Sequence, residues 1–260
     1  MKNVLKQKLR DGKCAFGSWI SIPAMEVPEI LSIANFDWFL FDMEHGPLNV
    51  TILESMLQAA SPNVTPLVRV PNNELMFAKQ ALDTGAHGIM VPMINSAADA
   101  MKAVENTKYP PDGVRGTGAR RASGYFTYHA EYLKTANEET MVVVQIETQE
   151  SVSRIEEILS IGGVDAWFVG PNDLAASLGH IGQPDSEVVK DAMEKVLKVG
   201  NRMDVPGGTL SFSIEKAKTL VEKGYKLLGV GSDDFFLLQG AGAILGALRS
   251  QEEKGGKGHY

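Results

Sequence analysis

Two carboxylates follow successive apolar runs in the middle of the chain and could hold a cation between them. Glu147 ends the run TMVVVQIET, and Asp173 follows the run AWFVGPND. If these runs form neighbouring parallel strands, roughly 4.8 Å apart, both side chains emerge on one rim of the same sheet. Carboxylates that close repel each other unless a positive charge lies between them, and a hard divalent cation is the usual solution. The pair therefore predicts a metal site; the alternative is that each carboxylate caps the helix that follows it.

Other apolar runs also end in polar residues. Asp42, Glu44 and His45 follow DWFLF, Arg69 lies in PLVRVP, and Trp19 lies near the same rim. A metal ion polarises a carbonyl, an arginine stabilises an oxyanion and a histidine moves protons, so the set fits a metal-assisted carbonyl site. The sequence has no GxSxG turn and no lysine placed for a Schiff base. Trp19 either walls a substrate pocket or packs at the edge of the core.

Eight short apolar runs recur along the chain, with helix-like stretches between them. They are bounded by Gly, Pro, Asn or Asp, as strands buried on both faces of a parallel sheet are. The runs are AFGSWIS, DWFLFDME, PLVRVP, GIMVPMI, MVVVQIET, AWFVGP, VPGGTL and KLLGVGS. In the stretches between them apolar residues lie three or four apart, and Gly85 and Gly224 are favoured helix stops. This order predicts a TIM (β/α)8 barrel, in which the C-terminal ends of all strands face one rim.

One domain, 1–260, accounts for this pattern, since such barrels typically have about 250 residues. A doubly wound sheet is the alternative, but the turns ISIPAME and DMEHGPL lack its Gly-rich phosphate loop. The polar, Gly-containing segment 250–260 is predicted to be a flexible tail.

Two segments depart from a simple barrel. The connection 108–140 is long and contains Arg115, Arg120 and Arg121. It either reaches over the barrel mouth or a neighbouring subunit, or is a solvated loop whose arginines are paired locally. The last helix, DDFFLLQGAGAILGALRS, is apolar on more than one face. It either contacts another subunit or closes the barrel as a deeply buried helix.

Composition excludes several classes of protein. The net charge of −7, from 32 acidic and 25 basic residues, argues against a nucleic-acid binder. No apolar run reaches the roughly 18 residues of a membrane span, and the first residues do not resemble a signal peptide. The single cysteine, Cys14, cannot form an internal disulfide, so we expect a reducing cytoplasm.

Six motifs follow one another in the order and spacing of a known family, across roughly residues 6–249. They are FDMEHGP, VRVP, LDTGAHGIMVPM, YPPDGVRG, QIET and GPNDLAASLG. With them the chain resembles the class II, metal-dependent pyruvate aldolases of the HpcH/HpaI group. That group includes the 4-hydroxy-2-oxoheptanedioate and 2-dehydro-3-deoxyglucarate aldolases. The motifs QIET, GPNDL and DMEHG are specific in combination, and the resemblance implies a TIM barrel of the phosphoenolpyruvate/pyruvate-domain type.

The resemblance also implies roles for individual residues. Glu147 and Asp173 match the ligands of a divalent ion, Mg²⁺, Mn²⁺ or Co²⁺. The pyruvate site is matched by Arg69 at the keto oxygen, by His45 as acid/base and by Asp83 as the carboxylate that orients this histidine. Residues matching the surroundings of the pyruvate carboxylate or the wider active site are Gly170, Asn172, Asp173 and Asp42. Family members are hexamers that exchange the last helix, which fits the apolar DDFFLLQGAGAILGAL segment.

The activity that the resemblance implies is an aldehyde-lyase reaction. A 4-hydroxy-2-oxo acid is cleaved reversibly to pyruvate and an aldehyde through a metal-stabilised pyruvate enolate, in aromatic-compound or sugar-acid catabolism. The alternatives are a related enolate enzyme, such as a CoA-ester lyase or oxaloacetate decarboxylase, and a phosphate-binding isomerase that uses LLGVGSDD, with Gly229 and Gly231, as its phosphate loop. The natural aldehyde is left open, because GGTLSFS does not settle a side-chain preference.

Overall fold

Eight parallel strands close into a barrel, and each pairs with its neighbours in chain order. The structure, a computed structural model, describes residues 2–255, with side chains described to residue 249. The predicted TIM barrel and all eight predicted strands are confirmed. The strands are β1 (Ala15–Ile20), β2 (Trp38–Asp42), β3 (Thr65–Arg69), β4 (Gly88–Val91), β5 (Met141–Ile146), β6 (Ala166–Val169), β7 (Gly207–Leu210) and β8 (Leu227–Ser232).

Twelve helices are described, and most of them surround the barrel. They are α1 (Val4–Arg10), α2 (Glu26–Ser32), α3 (Val50–Ala59), α4 (Leu75–Asp83), α5 (Ala97–Thr107), α6 (His129–Glu139), α7 (Gln149–Ser153), α8 (Ile155–Leu159), α9 (Pro171–Ser177), α10 (Glu187–Arg202), α11 (Ile214–Lys223) and α12 (Asp233–Gly255). Local signals set their limits: Ser213 caps the start of α11 by accepting from the Lys216 amide. Gly224 ends the same helix in the left-handed conformation, with φ +107°, as predicted.

Successive residues of each strand point alternately into the barrel and towards the helices, which produces two separate core layers. In β2, Trp38 and Leu40 belong to the interior cluster, whereas Phe39 and Phe41 belong to the outer one. Continuing the alternation turns Asp42 inward at the end of the strand. The same period places Arg69 of β3 on the interior side, two residues after Leu67.

The N-terminal end of the barrel is covered by α1. Leu5 and Leu9 of this helix join the interior cluster. The side-chain amide of Asn3 donates to the carbonyl oxygens of His87 and Glu139, at 2.9 Å each. The opposite end, where the strands finish, is therefore the open mouth.

The last helix extends away from the barrel. It contacts β8 and β1, and large apolar side chains along it are exposed, namely Leu237, Leu238, Ile244, Leu245 and Leu248. The prediction of a deeply buried closing helix is wrong for this chain. The helix is described to Gly255, and residues 256–260 of the predicted flexible tail lie outside the described residues. Within the described part of the chain, every helix is too short or too polar to cross a membrane.

Candidate active site

The two carboxylates that the sequence singled out converge at the barrel mouth. Glu147 follows β5 directly, Asp173 lies in the first turn of α9, and the paired strands β5 and β6 carry them. A Cβ atom placed on Gly170 would lie 3.1 Å from Glu147 Oε2 and 3.5 Å from Asp173 Oδ2. Helix capping does not explain the pair, because Thr148 caps α7 and no side chain caps α9.

A hydrogen bond holds Glu147 in place, while its surroundings disfavour the charged form of its carboxylate. Its side chain is buried, and its Oε1 accepts from the Met93 amide at 2.7 Å. Met93 has a φ of +55°, a rare conformation for a residue other than glycine. Burial, with further repulsion from Glu44 and Asp173, raises the pKa of Glu147 to about 7. The site holds more negative charge than its own cations neutralise.

Arg69 is the cation of this site and is fixed by two carboxylates. Its Nε and Nη2 donate to Asp42 at 2.9 and 2.5 Å, because Asp42 and Arg69 are register partners in β2 and β3. Its Nη1 lies 3.1 Å from Glu44 Oε2. The guanidinium has five N–H groups, and the two hydrogen bonds to Asp42 leave three for a ligand.

His45 lies on the rim beside this pair. Asp42 Oδ1 accepts from the backbone amides of Glu44 and His45, at 3.0 and 3.2 Å, which shapes the turn after β2. The imidazole is mostly exposed, and its Nε2 lies 3.9 Å from Glu44 Oε2. Burial raises the pKa of Glu44, as it does that of Glu147.

A cavity of about 300 Å³ unites most of the predicted site residues. Those that line it are Trp19, Asp42, His45, Arg69, Gly170, Asn172 and Asp173. Trp19 forms part of its wall and also packs against Trp38 and Phe168, so both interpretations of this residue hold. Lining residues that the sequence analysis did not single out include Gln145, Phe168, Leu210, Phe212 and Asp234. Gln145 could have been found, because it lies two residues before Glu147 and so shares its inward face.

Comparison with known proteins identifies the family of this chain. A family model described as HpcH/HpaI aldolase/citrate lyase matches residues 16–239. The chain belongs to this family.

Two relatives and one solved structure illustrate how close the likeness is. The chain is 36% identical over 256 residues to a hydroxypyruvate/pyruvate aldolase of Paraburkholderia phytofirmans, covering 95% of this chain and 98% of the relative. It is 37% identical to a 4-hydroxy-2-oxo-heptane-1,7-dioate aldolase of Klebsiella pneumoniae, covering 94% and 93%. The crystal structure of an HpcH/HpaI family protein from Burkholderia cenocepacia superposes with a TM-score of 0.92 at 38% identity, covering 95% of this chain and all of that one.

One role implied by the resemblance to this family does not fit within a single chain. Asp83 is the last residue of α4, whose end lies just before β4 begins, so it is at the N-terminal end of the barrel. His45 follows β2 at the other end. The carboxylate of Asp83 instead accepts from Arg115 Nη2 at 2.8 Å. Within one chain, therefore, Asp83 does not orient His45.

One alternative for the connection 108–140 is wrong within a single chain, and a contact with a neighbouring subunit stays a prediction. It does not cover the mouth of its own barrel, because its arginines reach the far ends of α3 and α4. Arg115 contacts Asp83, and Arg121 donates to the carbonyl oxygens of Thr84 and Leu57, at 2.5 and 3.4 Å. The local pairing of these arginines is confirmed, and α6 occupies the second half of the segment.

The glycines of β8 serve packing. A Cβ atom on Gly229 would lie 2.6 Å from the Trp19 ring, and one on Gly231 would lie 2.7 Å from Phe236. Both positions are small because aromatic rings occupy the space, which accounts for the LLGVGSDD sequence without a bound phosphate.

The donors at the mouth suit a hard divalent cation. Glu147 and Asp173 present oxygen atoms towards one point, and the buried Gln145 Oε1 has no partner among the described residues. No group of three or more His, Cys, Asp or Glu residues within the described part of the chain forms a complete metal cage. Two carboxylates with open positions fit an ion that also binds substrate, as Mg²⁺ commonly does.

Proposed function

We propose that this protein is a class II pyruvate aldolase, a metal-dependent aldehyde-lyase. It cleaves a 4-hydroxy-2-oxo acid reversibly into pyruvate and an aldehyde. The observation that carries the proposal is the convergence of Glu147 and Asp173 at the barrel mouth of a family member, where Asp173 and Arg69 line one cavity. Names of the relatives, which are pyruvate, hydroxypyruvate and 4-hydroxy-2-oxo acid aldolases, support it.

Binding of the pyruvate half divides between the metal ligands and the residues around them. Glu147 and Asp173 would hold Mg²⁺, Mn²⁺ or Co²⁺, and the bound ion would draw electron density from the 2-keto oxygen as a Lewis acid. N–H groups of Arg69 that are not bonded to Asp42 donate to the same keto oxygen and stabilise it as an enolate. Backbone amides around Gly170 and Asn172 bind the carboxylate. Asp42 and Glu44 keep the guanidinium from rotating, so little reorganisation accompanies the reaction.

His45 carries the proton of the cleavage step. The imidazole accepts the proton of the C4 hydroxyl. The C3–C4 bond then breaks, the electron pair of that bond forms the enolate of pyruvate, and C4 becomes the aldehyde carbonyl. Return of one proton to C3 gives pyruvate and balances the reaction. Glu44, 3.9 Å from Nε2, stabilises the protonated imidazole. Asp83 takes no part in this step within one chain.

The test is pyruvate release from a panel of 4-hydroxy-2-oxo acids before and after removal of metal with EDTA. We expect activity to vanish on metal removal and to return with Mg²⁺, Mn²⁺ or Co²⁺. Arg69→Lys should lower kcat about 100-fold, because lysine cannot keep both carboxylate contacts and still reach the substrate. Arg154→Lys, an exposed change outside the cavity, is the matched control. Full activity in metal-free enzyme would contradict the proposal.

We also propose that the protein is a homo-oligomer, a hexamer, in which α12 packs on another copy. The exposed apolar side chains of this helix support it, as does an apolar groove of about 720 Å³ between α11 and the start of α12. Burial of such side chains contributes about 2 kcal/mol each. Light scattering should show a hexamer that Leu245→Glu dissociates, and a monomeric wild-type protein would contradict the proposal.

A further inference from the structure

One wall of the cavity is left unused by the pyruvate half. Glu147 and Asp173 follow β5 and β6, and Arg69 is the last residue of β3. The wall across the barrel from β3 comes from the ends of β7 and β8 and consists of Leu210, Phe212, Ser232 and Asp234. The role of this wall rests on the proposed function: if the pyruvate half binds at Asp173 and Arg69, the aldehyde half of the substrate must lie against the wall.

No cation faces the aldehyde along this wall. Among the described residues that line the cavity, the basic side chains are Arg69 and His45, which follow β3 and β2. Arg69 is already held by Asp42 and Glu44. An aldehyde that carried a carboxylate at its far end would find no partner for that charge within this chain.

The charge that does face the aldehyde is negative. Asp234 Oδ1 accepts hydrogen bonds from the Ser232 hydroxyl and, at 2.7 Å, from the Phe235 amide, and these bonds fix the carboxylate at the rim. Asp234 forms no ion pair with a described residue. A second carboxylate brought into the cavity would be repelled by it.

The remaining surface suits an uncharged chain. Phe212 is about half exposed, packs edge-on against Phe235 with centroids 5.0 Å apart, and lies beside Leu210. Apolar carbons gain from contact with both side chains. The free oxygen of Asp234 can accept from a substrate hydroxyl, whereas it cannot accept from a carboxylate.

We propose that the aldehyde of this enzyme is uncharged, an alkyl or hydroxyalkyl aldehyde, and that Asp234 excludes aldehydes bearing a carboxylate. In this the chain differs from the relatives named for 4-hydroxy-2-oxo-heptane-1,7-dioate, whose cleavage to pyruvate yields an aldehyde with a carboxylate.

The first experiment compares two aldehydes of equal length in aldol addition to pyruvate. Butanal and succinic semialdehyde both have four carbons and differ at the far end. We expect kcat/KM to be at least about tenfold higher for butanal, because like charges repel at the rim. An equal or higher value for succinic semialdehyde would overturn the inference. Exchange of the pyruvate methyl protons in D₂O with Mn²⁺, without any aldehyde, reports separately on the proposed function; its absence would overturn that function instead.

A single substitution tests the contribution of Asp234 to this preference. Asp234→Asn should raise the ratio of kcat/KM for succinic semialdehyde to that for butanal by about tenfold. The ratio cancels the intrinsic reactivity of the two aldehydes. Asp191→Asn, an exposed change on α10, should leave the ratio at its wild-type value. An unchanged ratio in Asp234→Asn would overturn the role of this residue.

Salt provides a second measurement on the wild-type enzyme that does not depend on a folded variant. Because mobile ions screen the repulsion, the same ratio should rise as NaCl increases from 20 to 500 mM, about the range over which screening lengths fall from roughly 20 Å to below 5 Å. A ratio that stays constant or falls would contradict repulsion at the rim.

Discussion

The two ends of the barrel differ in how far their buried charges are neutralised within the chain. At the N-terminal end two buried cations have an acid beside them: Lys6 lies 2.8 Å from Asp165, and Arg115 lies 2.8 Å from Asp83. At the mouth, carboxylates crowd around Arg69 alone, and burial raises the pKa of Glu147 to about 7. Each of these two pairs joins one cation to one acid within the chain. Unbalanced charge at the open end is compensated only when a ligand binds, so it marks the functional end.

Cavity size does not make this distinction. The closed end has a cavity of about 550 Å³ beside α1, larger than the one of about 300 Å³ at the mouth. Its lining residues Lys6 and Asp165 already neutralise each other. Convergence of uncompensated groups, not volume, identifies the site.

Removing a carboxylate from the mouth should have the largest effect on activity. Glu147→Gln should lower pyruvate release about 1000-fold, since the ion that polarises the substrate loses an anionic ligand. Titration calorimetry with Mn²⁺ should show no binding to the variant. Glu150→Gln, an exposed change three residues later, is the control and should bind Mn²⁺ as the wild type does. Retention of Mn²⁺ by Glu147→Gln would contradict the assigned role.

Removing a carboxylate from the closed end should instead affect stability. Asp165→Asn leaves the buried ammonium of Lys6 without its acid and should lower the free energy of unfolding by about 3 kcal/mol. Urea unfolding at fixed protein concentration measures it. Pyruvate release by the folded variant should not change, because Asp165 precedes β6 at the end away from the mouth.

The control for this effect is an exposed pair. Glu194→Gln removes the partner of Lys198 on α10 and should cost less than about 0.5 kcal/mol. Equal losses in the two variants, or loss of catalysis in folded Asp165→Asn, would mean that the two ends are not separate in function.

The pH dependence of stability should also differ between the ends. The folded-state pKa of Glu147, about 7, lies above its unfolded value, so its contribution favours the folded state fully only below about pH 4.5. That contribution is lost as the pH rises to about 7, and it amounts to something on the order of 3 kcal/mol. Metal-free wild type should therefore lose stability over this window relative to metal-free Glu147→Gln, in paired urea titrations. Parallel pH profiles of the two proteins would refute this explanation.

The sequence predicted the strands and the rim because both depend on local pattern. Strands buried on both faces are short continuous apolar runs, and the inward period of two carries on to Asp42, Arg69 and Glu147. The role of Asp83 came from a motif match and stays a prediction, since within one chain this carboxylate pairs with Arg115. Its position at the end of a helix puts it at the closed end of any such barrel, which the order of elements alone implies.

Tertiary contacts decided what the sequence could not. The connection 108–140 contains no repeat or period that indicates which helices it packs on, and its arginines find backbone carbonyls of α3 and α4 that no pattern marks. The hydrogen bond from the Met93 amide to Glu147 is likewise not marked by any sequence pattern, because it joins the turn after β4 to the end of β5.

The smallest predicted effect tests how closely the mouth is fitted. Gly170 has φ −87° and ψ 98°, which any residue can adopt, so its small size and not its flexibility is what the site requires. In Gly170→Ala the new methyl group would lie 3.1 Å from Glu147 Oε2 and 3.2 Å from Gln145 Nε2, and both side chains would have to shift by a few tenths of an ångström. Since small displacements of catalytic groups are costly, kcat/KM should fall about tenfold with little change in unfolding free energy. Gly162→Ala, where a methyl group meets nothing within 4 Å, should leave kcat/KM unchanged. Wild-type activity in Gly170→Ala would mean that the two carboxylates tolerate more freedom than their convergence implies, whereas a loss matched by Gly162→Ala would trace the effect to the backbone.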